Sequence, residues 1–171
     1  PYFKQHPDHV CIMPTRRDPH MRCNVFAYVG PEIAGVSSSA TILLTGHYDV
    51  VSTANYGPLQ AIACQPDLLL PRLIDTLQAD SRGAADAQAL EDLHSGDFMP
   101  GRGALDMKAG LAAGIAVLER HAADPARRHG LMLVFTPDEE NYSNGMRSAV
   151  QQLPALCTAW GASPSLAINL D

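Results

Sequence analysis

The sequence predicts an α/β fold, a three-layer α/β/α sandwich built on a mainly parallel sheet, and three observations lead there. Residues 40–46, 130–136 and 165–170 are short, continuous apolar runs of the kind that form strands buried on both faces. Residues 107–120 place Leu111, Ile115 and Leu118 at helical spacing, with alanines and glycines between them that let a helix pack closely on a sheet. Strands that alternate with helices argue for a mainly parallel sheet covered on both faces.

In chain order, Tyr2-Phe3-Lys4-Gln5-His6 reads as the tail of a helix stopped by Pro7. Residues 23–29 are rich in β-branched and aromatic side chains and end at Gly30-Pro31, a strand with its stop. Ser37-Ser38-Ser39 is a turn. The strand over residues 40–46 runs into His47-Tyr48-Asp49-Val50-Val51. Residues 52–100 show no clean periodicity, prolines at 58, 66 and 71 interrupt them, and only 84–94 reads as a short helix. A long irregular insertion of this kind is often functional or mobile. Gly101-Arg102-Gly103 is a turn whose glycines permit positive φ and close backbone approach, and it delivers Asp106 to the mouth of the small-residue helix. That helix ends near Asp124-Pro125. The strand over residues 130–136 leads into Pro137-Asp138-Glu139-Glu140. Residues 143–153 read as a helix with Ser143 as N-cap and with Met146, Val150 and Leu153 on its apolar face. A buried strand over residues 165–171 closes with Asp171, and a chain that stops there and starts at Pro1 is expected to be an internal piece of a longer protein.

Composition narrows the function. A chain of 171 residues with 46% hydrophobic and 18% charged residues has the makings of one domain with a real core. A net charge of −6 argues against a nucleic-acid partner, and the apolar runs are too short to span a membrane. Cys11, Cys23, Cys64 and Cys157 are scattered with no C-x-x-C pair, the pattern of reduced, mostly buried thiols in a cytoplasmic protein.

Three apolar strands each end in metal-capable residues: His47 and Asp49, then Glu139 and Glu140, then Asp171. Asp106 opens the helix between the first two. The carboxyl ends of parallel strands share one sheet edge, so these side chains are expected to converge. One imidazole and several carboxylates suit Zn2+, with Co2+ or Mn2+ as alternatives, and a cation would relieve the mutual repulsion of the acids. Singly, each residue has an ordinary reading: Asp106 as a helix N-cap, His47 as a hydrogen-bonded histidine, Glu139-Glu140 as a solvated loop. Together they favour a site. Arg102 and Lys108 are expected to stabilise the loop, and His94, His121 and His129 to be merely exposed.

Thr45-Gly46-His47-Tyr48-Asp49-Val50-Val51, Gly101-Arg102-Gly103 through Asp106-Met107-Lys108-Ala109-Gly110, and Thr136-Pro137-Asp138-Glu139-Glu140 resemble, in order, the signature blocks of a co-catalytic metallopeptidase family. The family includes aminoacylase, carboxypeptidase G, acetylornithine deacetylase and succinyl-diaminopimelate desuccinylase. The segments 2–7, 55–57 and 144–147 look most like its arginine-utilisation branch. The gap from His47 to Asp106 is longer than usual there.

The resemblance implies a metal-dependent hydrolase that cleaves an amide or peptide bond of a small amino-acid derivative through water activated by two metals. It implies His47 and Asp171 as ligands of one metal, Asp106 as the bridging carboxylate, Glu140 as a ligand of the second metal and Glu139 as general base. Asp49 is implied as the acid that orients the His47 imidazole. The family's second metal also takes a histidine from further along, and a lid domain supplies substrate contacts and often a homodimer interface. Residues 1–171 would then be part of a catalytic domain, inactive alone. The other reading is a non-catalytic relative that binds or regulates.

Overall fold

The computed structural model describes residues 2–32, 40–80 and 83–171, so the turn expected at Ser37-Ser38-Ser39 lies outside the described residues. The chain divides into two compact units, Pro1–Asp49 with Met107–Asp171, and Val50–Asp106.

The first unit holds one five-stranded sheet: β1 (Val10–Pro14), β2 (Cys23–Val29), β3 (Ala40–His47), β4 (Gly130–Thr136) and β5 (Ser163–Asn169) in the order β1-β2-β4-β3-β5. β3 pairs in parallel with both β4 and β5, while β2 is antiparallel to β1 and to β4. Four strands therefore point one way and β2 alone runs against them. The expected strands over residues 23–29, 40–46 and 130–136 are β2, β3 and β4. Helices α1 (Tyr2–Gln5), α4 (Gly110–Ala123) and α5 (Asn144–Trp160) belong to the same unit. Asp124 caps α4 at its carboxyl end, where the helix was expected to stop.

Side chains alternate along these strands, and the two parities fall into separate clusters. Phe26, Tyr28, Leu43, Met132 and Val134 pack with Ala149 and Leu156 of α5. Val29, Leu44, Leu131 and Leu133 pack with Leu118 of α4. Burial of each large side chain is worth about 1.5–3 kcal/mol, against a few tenths for helix propensity at most positions, so packing on the sheet decides where these helices sit.

Several expectations change. β1 was not foreseen. β5 was expected to be buried but is exposed along its whole length; it lies at the sheet edge with β3 as its single strand partner. α5 continues beyond residue 153 through Pro154 to Trp160, since Leu156 and Trp160 still pack on the core after the ring has removed one N–H. Its buried face holds Gly145, Ser148, Ala149 and Leu156, leaving Val150 60% exposed. Ser143 adopts a left-handed conformation and makes no side-chain cap. The cysteines are free, as expected, but none is buried.

In the second unit, the region expected to be irregular is mostly helical. A 3-10 segment, Ala54–Ile62, precedes α2 (Pro66–Ala79) and α3 (Ala84–Ser95). Pro66 stands in the first turn, where a missing N–H is harmless, and Pro71 lies inside α2. Leu69 is fully buried, with Leu73 and Leu77 half-buried one and two turns on, and α2 packs against α3. Gly96 in the left-handed region ends α3. Gly101 and Gly103 both have positive φ, as the turn requires. The unit ends inside a π-helical turn, Ala104–Ala109, that runs directly into α4. Asp106 sits within this turn, a form enriched at functional sites, rather than capping α4.

Candidate functional site

The parallel register sets the frame. His47 lies opposite Thr136, and Thr45 opposite Asn169. β3 and β4 therefore end level, β5 stops two residues short of them, and His47, the 137–140 loop and Asp171 leave the same sheet edge.

His47 is buried, 2% exposed, and both ring nitrogens are engaged. Nδ1 lies 3.1 Å from the Asp49 carbonyl oxygen and 3.5 Å from its Oδ1. An acceptor at that distance makes Nδ1 the protonated nitrogen and leaves the Nε2 lone pair facing outward. Nε2 faces Asp171 Oδ2 at 3.7 Å and Glu139 Oε2 at 4.0 Å. A lone pair and two carboxylates pointed at one another repel unless a proton or cation lies among them. Two donors on one tetrahedral divalent ion stand about 3.3–3.5 Å apart, so the His47–Asp171 spacing fits such an ion with little adjustment. The donor set, an imidazole with carboxylates, fits as well.

Asp49 does more than support the imidazole. Its Oδ1 accepts the Glu139 N–H at 3.1 Å and its Oδ2 accepts the Glu140 N–H at 3.3 Å. One carboxylate thus ties the loop after β3 to the loop after β4. The His47 N–H donates to Met107 Sδ at 3.0 Å, and Met107 is buried. Asp106, the last residue of the other unit, precedes Met107 by a single peptide bond. For Glu140, the structure fixes the backbone through Asp49. Lys108 Nζ donates to the Tyr48 carbonyl oxygen, and Arg102 donates to Asn55 Oδ1 while lying over the Tyr56 ring. Both thus reach neutral acceptors in their loops. A cavity of about 210 Å³ opens here, lined by Thr45, Gly46, His47, Thr136, Glu139, Ser143, Met146, Asn169 and Asp171. A larger one, about 560 Å³, involves Tyr2, Phe3, His6 and Arg127, but Arg127 is already bonded to Glu32 and to the carbonyls of Gly30, Ala122 and Asp124. The metal-capable side chains His47, Glu139 and Asp171 line the smaller cavity.

A buried ion-pair group behind the loop escaped the sequence reading. Arg22 grips Asp18 with two bonds, Nε to Oδ2 at 3.0 Å and Nη2 to Oδ1 at 2.7 Å, and Nη2 also reaches Asp138 Oδ1 at 2.8 Å. Hydrogen bonds from Arg22 hold the Asp18 carboxyl well below its ordinary range, outweighing burial. Burial pushes Asp138 up, but the bonds from Arg22 and the Asn144 N–H win and leave it below its ordinary value. The one local signal was an acid and a base four residues apart.

Comparison with known proteins gives a consistent picture. Peptidase family M20/M25/M40 matches residues 74–167. The chain is 33% identical over 153 residues to the protein YqjN of Bacillus subtilis (strain 168), covering 90% of this chain and 26% of that one. It is 30% identical over 172 aligned positions to Protein RocB of the same organism, covering 100% of this chain and 29% of that one. It is 37% identical over 129 residues to succinyl-diaminopimelate desuccinylase of Verminephrobacter eiseniae (strain EF01-2), covering 73% of this chain and 26% of the enzyme. The chain thus spans less than a third of the length of these relatives.

Proposed function

The chain belongs to peptidase family M20/M25/M40, and from that premise we propose that the protein containing it is a metal-dependent hydrolase that cleaves an amide or peptide bond of a small amino-acid derivative. The observation that carries this reading is His47 Nε2 facing Asp171 and Glu139 beyond the carboxyl ends of three parallel strands. In it, His47 and Asp171 would hold one zinc ion, Asp106 would be shared between that ion and a second, and Glu140 would serve the second. Cobalt or manganese would suit the same oxygen and nitrogen donors. A divalent ion so placed supplies a Lewis acid that brings the pKa of water near neutrality.

The remaining chemistry falls to the protein. Asp49 keeps the imidazole in the tautomer whose Nε2 lone pair faces Asp171 and Glu139. Glu139, half-exposed beside His47, takes a proton from the attacking water as its oxygen adds to the carbonyl carbon, then hands the proton to the amine as the C–N bond breaks. The two sheet-face clusters support a three-layer sandwich. A lid domain and a further histidine, implied by the family resemblance, would complete the site in the full-length protein, with homodimer contacts on the lid. No helix among the described residues is long and apolar enough to cross a membrane; a cytoplasmic location belongs to the same proposal.

The test is metal analysis and hydrolysis of a panel of N-acyl amino acids and dipeptides by the full-length protein. Glu139→Gln should lose about 10²–10⁴-fold in rate with bound metal unchanged. Metal bound tightly with no hydrolysis across the panel would instead establish a binding protein.

A further inference from the structure

We infer that Arg22 is a positioning residue for Glu139: it holds the Asp138 carboxylate, and through it the backbone that presents the general base. The inference rests on the hydrolase reading above and adds to it a residue outside the loop that the chemistry uses.

Asp138 is 4% exposed and has φ of 69°, in the left-handed region that a non-glycine residue enters at a cost. Something must hold it there, and three contacts do. Its carbonyl oxygen accepts the Ser143 N–H at 2.6 Å, Oδ2 accepts the Asn144 N–H at 3.3 Å, and Oδ1 accepts Arg22 Nη2 at 2.8 Å. Arg22 is itself immobilised, because Asp18 takes two bonds from its guanidinium and a third, at 2.6 Å, from its backbone N–H. The Asp18 side chain is 0% exposed, that of Asp138 5% and that of Arg22 24%, so water loosens these pairs less than it does at a surface. A guanidinium addresses two carboxylates at once through a rigid planar fork, a fixed geometry that an ammonium lacks.

Glu139 is therefore bracketed. On one side stands Asp138, anchored by Arg22, and its own N–H is anchored by Asp49. Its side chain is half-exposed and has little packing to direct it, so the backbone must aim it. A misplacement of about 1 Å at a reacting group can cost about 100-fold in rate. The simpler alternative is a fold staple, whose removal lowers stability but leaves turnover per folded molecule unchanged.

The experiment compares Arg22→Met and Arg22→Lys in the full-length, metal-loaded protein, assayed on the N-acyl amino acid and dipeptide panel. We expect kcat of Arg22→Met to fall about 10–100-fold, with KM and bound metal per chain unchanged, and Arg22→Lys to recover part of the loss. A folded, metal-loaded variant with wild-type kcat overturns the inference, and so does a kcat loss that merely tracks lost metal. If Arg22→Met fails to fold, Arg22→Lys, which keeps a positive charge between the two aspartates, decides alone: reduced kcat at unchanged KM supports the inference and wild-type kcat overturns it. Glu139→Gln run in parallel separates the layers. If it keeps full rate, Glu139 is not the general base and the inference falls with that role; if the wild type turns over nothing in the panel, the hydrolase reading itself is wrong; if Glu139→Gln is inactive while the Arg22 variants match wild type, only the role of Arg22 falls.

Discussion

Gly145→Ala probes how the start of α5 is seated against the loop that carries Glu139. Gly145 is the second residue of the helix and is buried. A Cβ there would overlap the Pro137 carbonyl oxygen and lie 2.6 Å from Pro137 Cδ and 2.8 Å from its nitrogen. Carbon atoms in contact prefer about 3.5–4.0 Å, so the helix start must retreat by roughly 1 Å. The obstacle is buried backbone rather than the end of a flexible side chain. Alanine gains at most about 1 kcal/mol over glycine in helix propensity, and less this near the terminus. Overpacking of this kind costs about 1–3 kcal/mol. The retreat also strains the 3.0 Å bond from Asn24 Nδ2 to the Gly145 carbonyl oxygen and the Asp138 contacts to residues 143 and 144. The expected net effect is a loss of about 1–2 kcal/mol, read as a lower urea midpoint at unchanged slope. Because Pro137 leads into Asp138 and Glu139, turnover by the full-length protein should fall about 100-fold as well. Gly83→Ala is the matched control. Its backbone is extended and no atom lies within 4 Å of the added carbon, so it should stay within about 0.5 kcal/mol of wild type. A Gly145→Ala protein as stable as wild type would refute the reasoning.

Acid should unfold the protein partly through Asp18. Hydrogen bonds from Arg22 depress its folded pKa below the ordinary 3.8, so its contribution is complete above about pH 4 and is lost as pH falls toward the folded value. Asp18→Asn should be less stable at neutral pH and show a flatter decline in urea midpoint from about pH 4 to about pH 2; a wild-type slope in the variant would count against this. Asp49→Ala removes the acceptor of two backbone N–H groups as well as a contact to His47. It should lose about 1–3 kcal/mol in stability and about 10–100-fold in metal affinity or rate, and unchanged turnover would remove Asp49 from the site.

What was legible in the sequence follows physical lines. β2, β3 and β4 carry long apolar or β-branched runs bounded by glycine or proline, and their ends are where the sequence reading puts them. β1 is five residues long, half-buried in alternation and closed by Pro14, too short a signal to separate from a loop. α2 does carry a helical stripe, at Leu69, Leu73 and Leu77, but Pro66 and Pro71 read as breaks because a proline in the first turn looks the same in sequence as one that stops a helix. β5 has the composition of a central strand, and composition does not report how many neighbours a strand has. For the candidate site, His47, Asp49 and Glu139 are proposed from their places at strand ends. That both oxygens of Asp49 take backbone N–H groups some 90 residues away leaves no mark in local sequence, since any residue offers the donor. The Arg22–Asp138 bond, across 116 residues, is hidden for the same reason.

These two hidden contacts bear on how adjacent glutamates can take different roles. Glu139 and Glu140 each place an N–H on a different oxygen of one carboxylate, so the chain turns about Asp49 and their side chains start from different directions. Asp49 in turn sits two residues beyond His47 and accepts from its ring. Moving Asp49 therefore moves the imidazole, the base and the second glutamate together. Asp138 fixes the approach to that turn from the opposite side, through Arg22 and the first N–H groups of α5. The side chains that would do chemistry are held less by their own packing than by the backbone behind them. That backbone is held by Asp49 and Asp138, whose carboxylates are spent on N–H groups and a guanidinium. A half-exposed base can keep a defined position under these conditions, and the positional demand of proton transfer is met without burying the carboxylate that performs it.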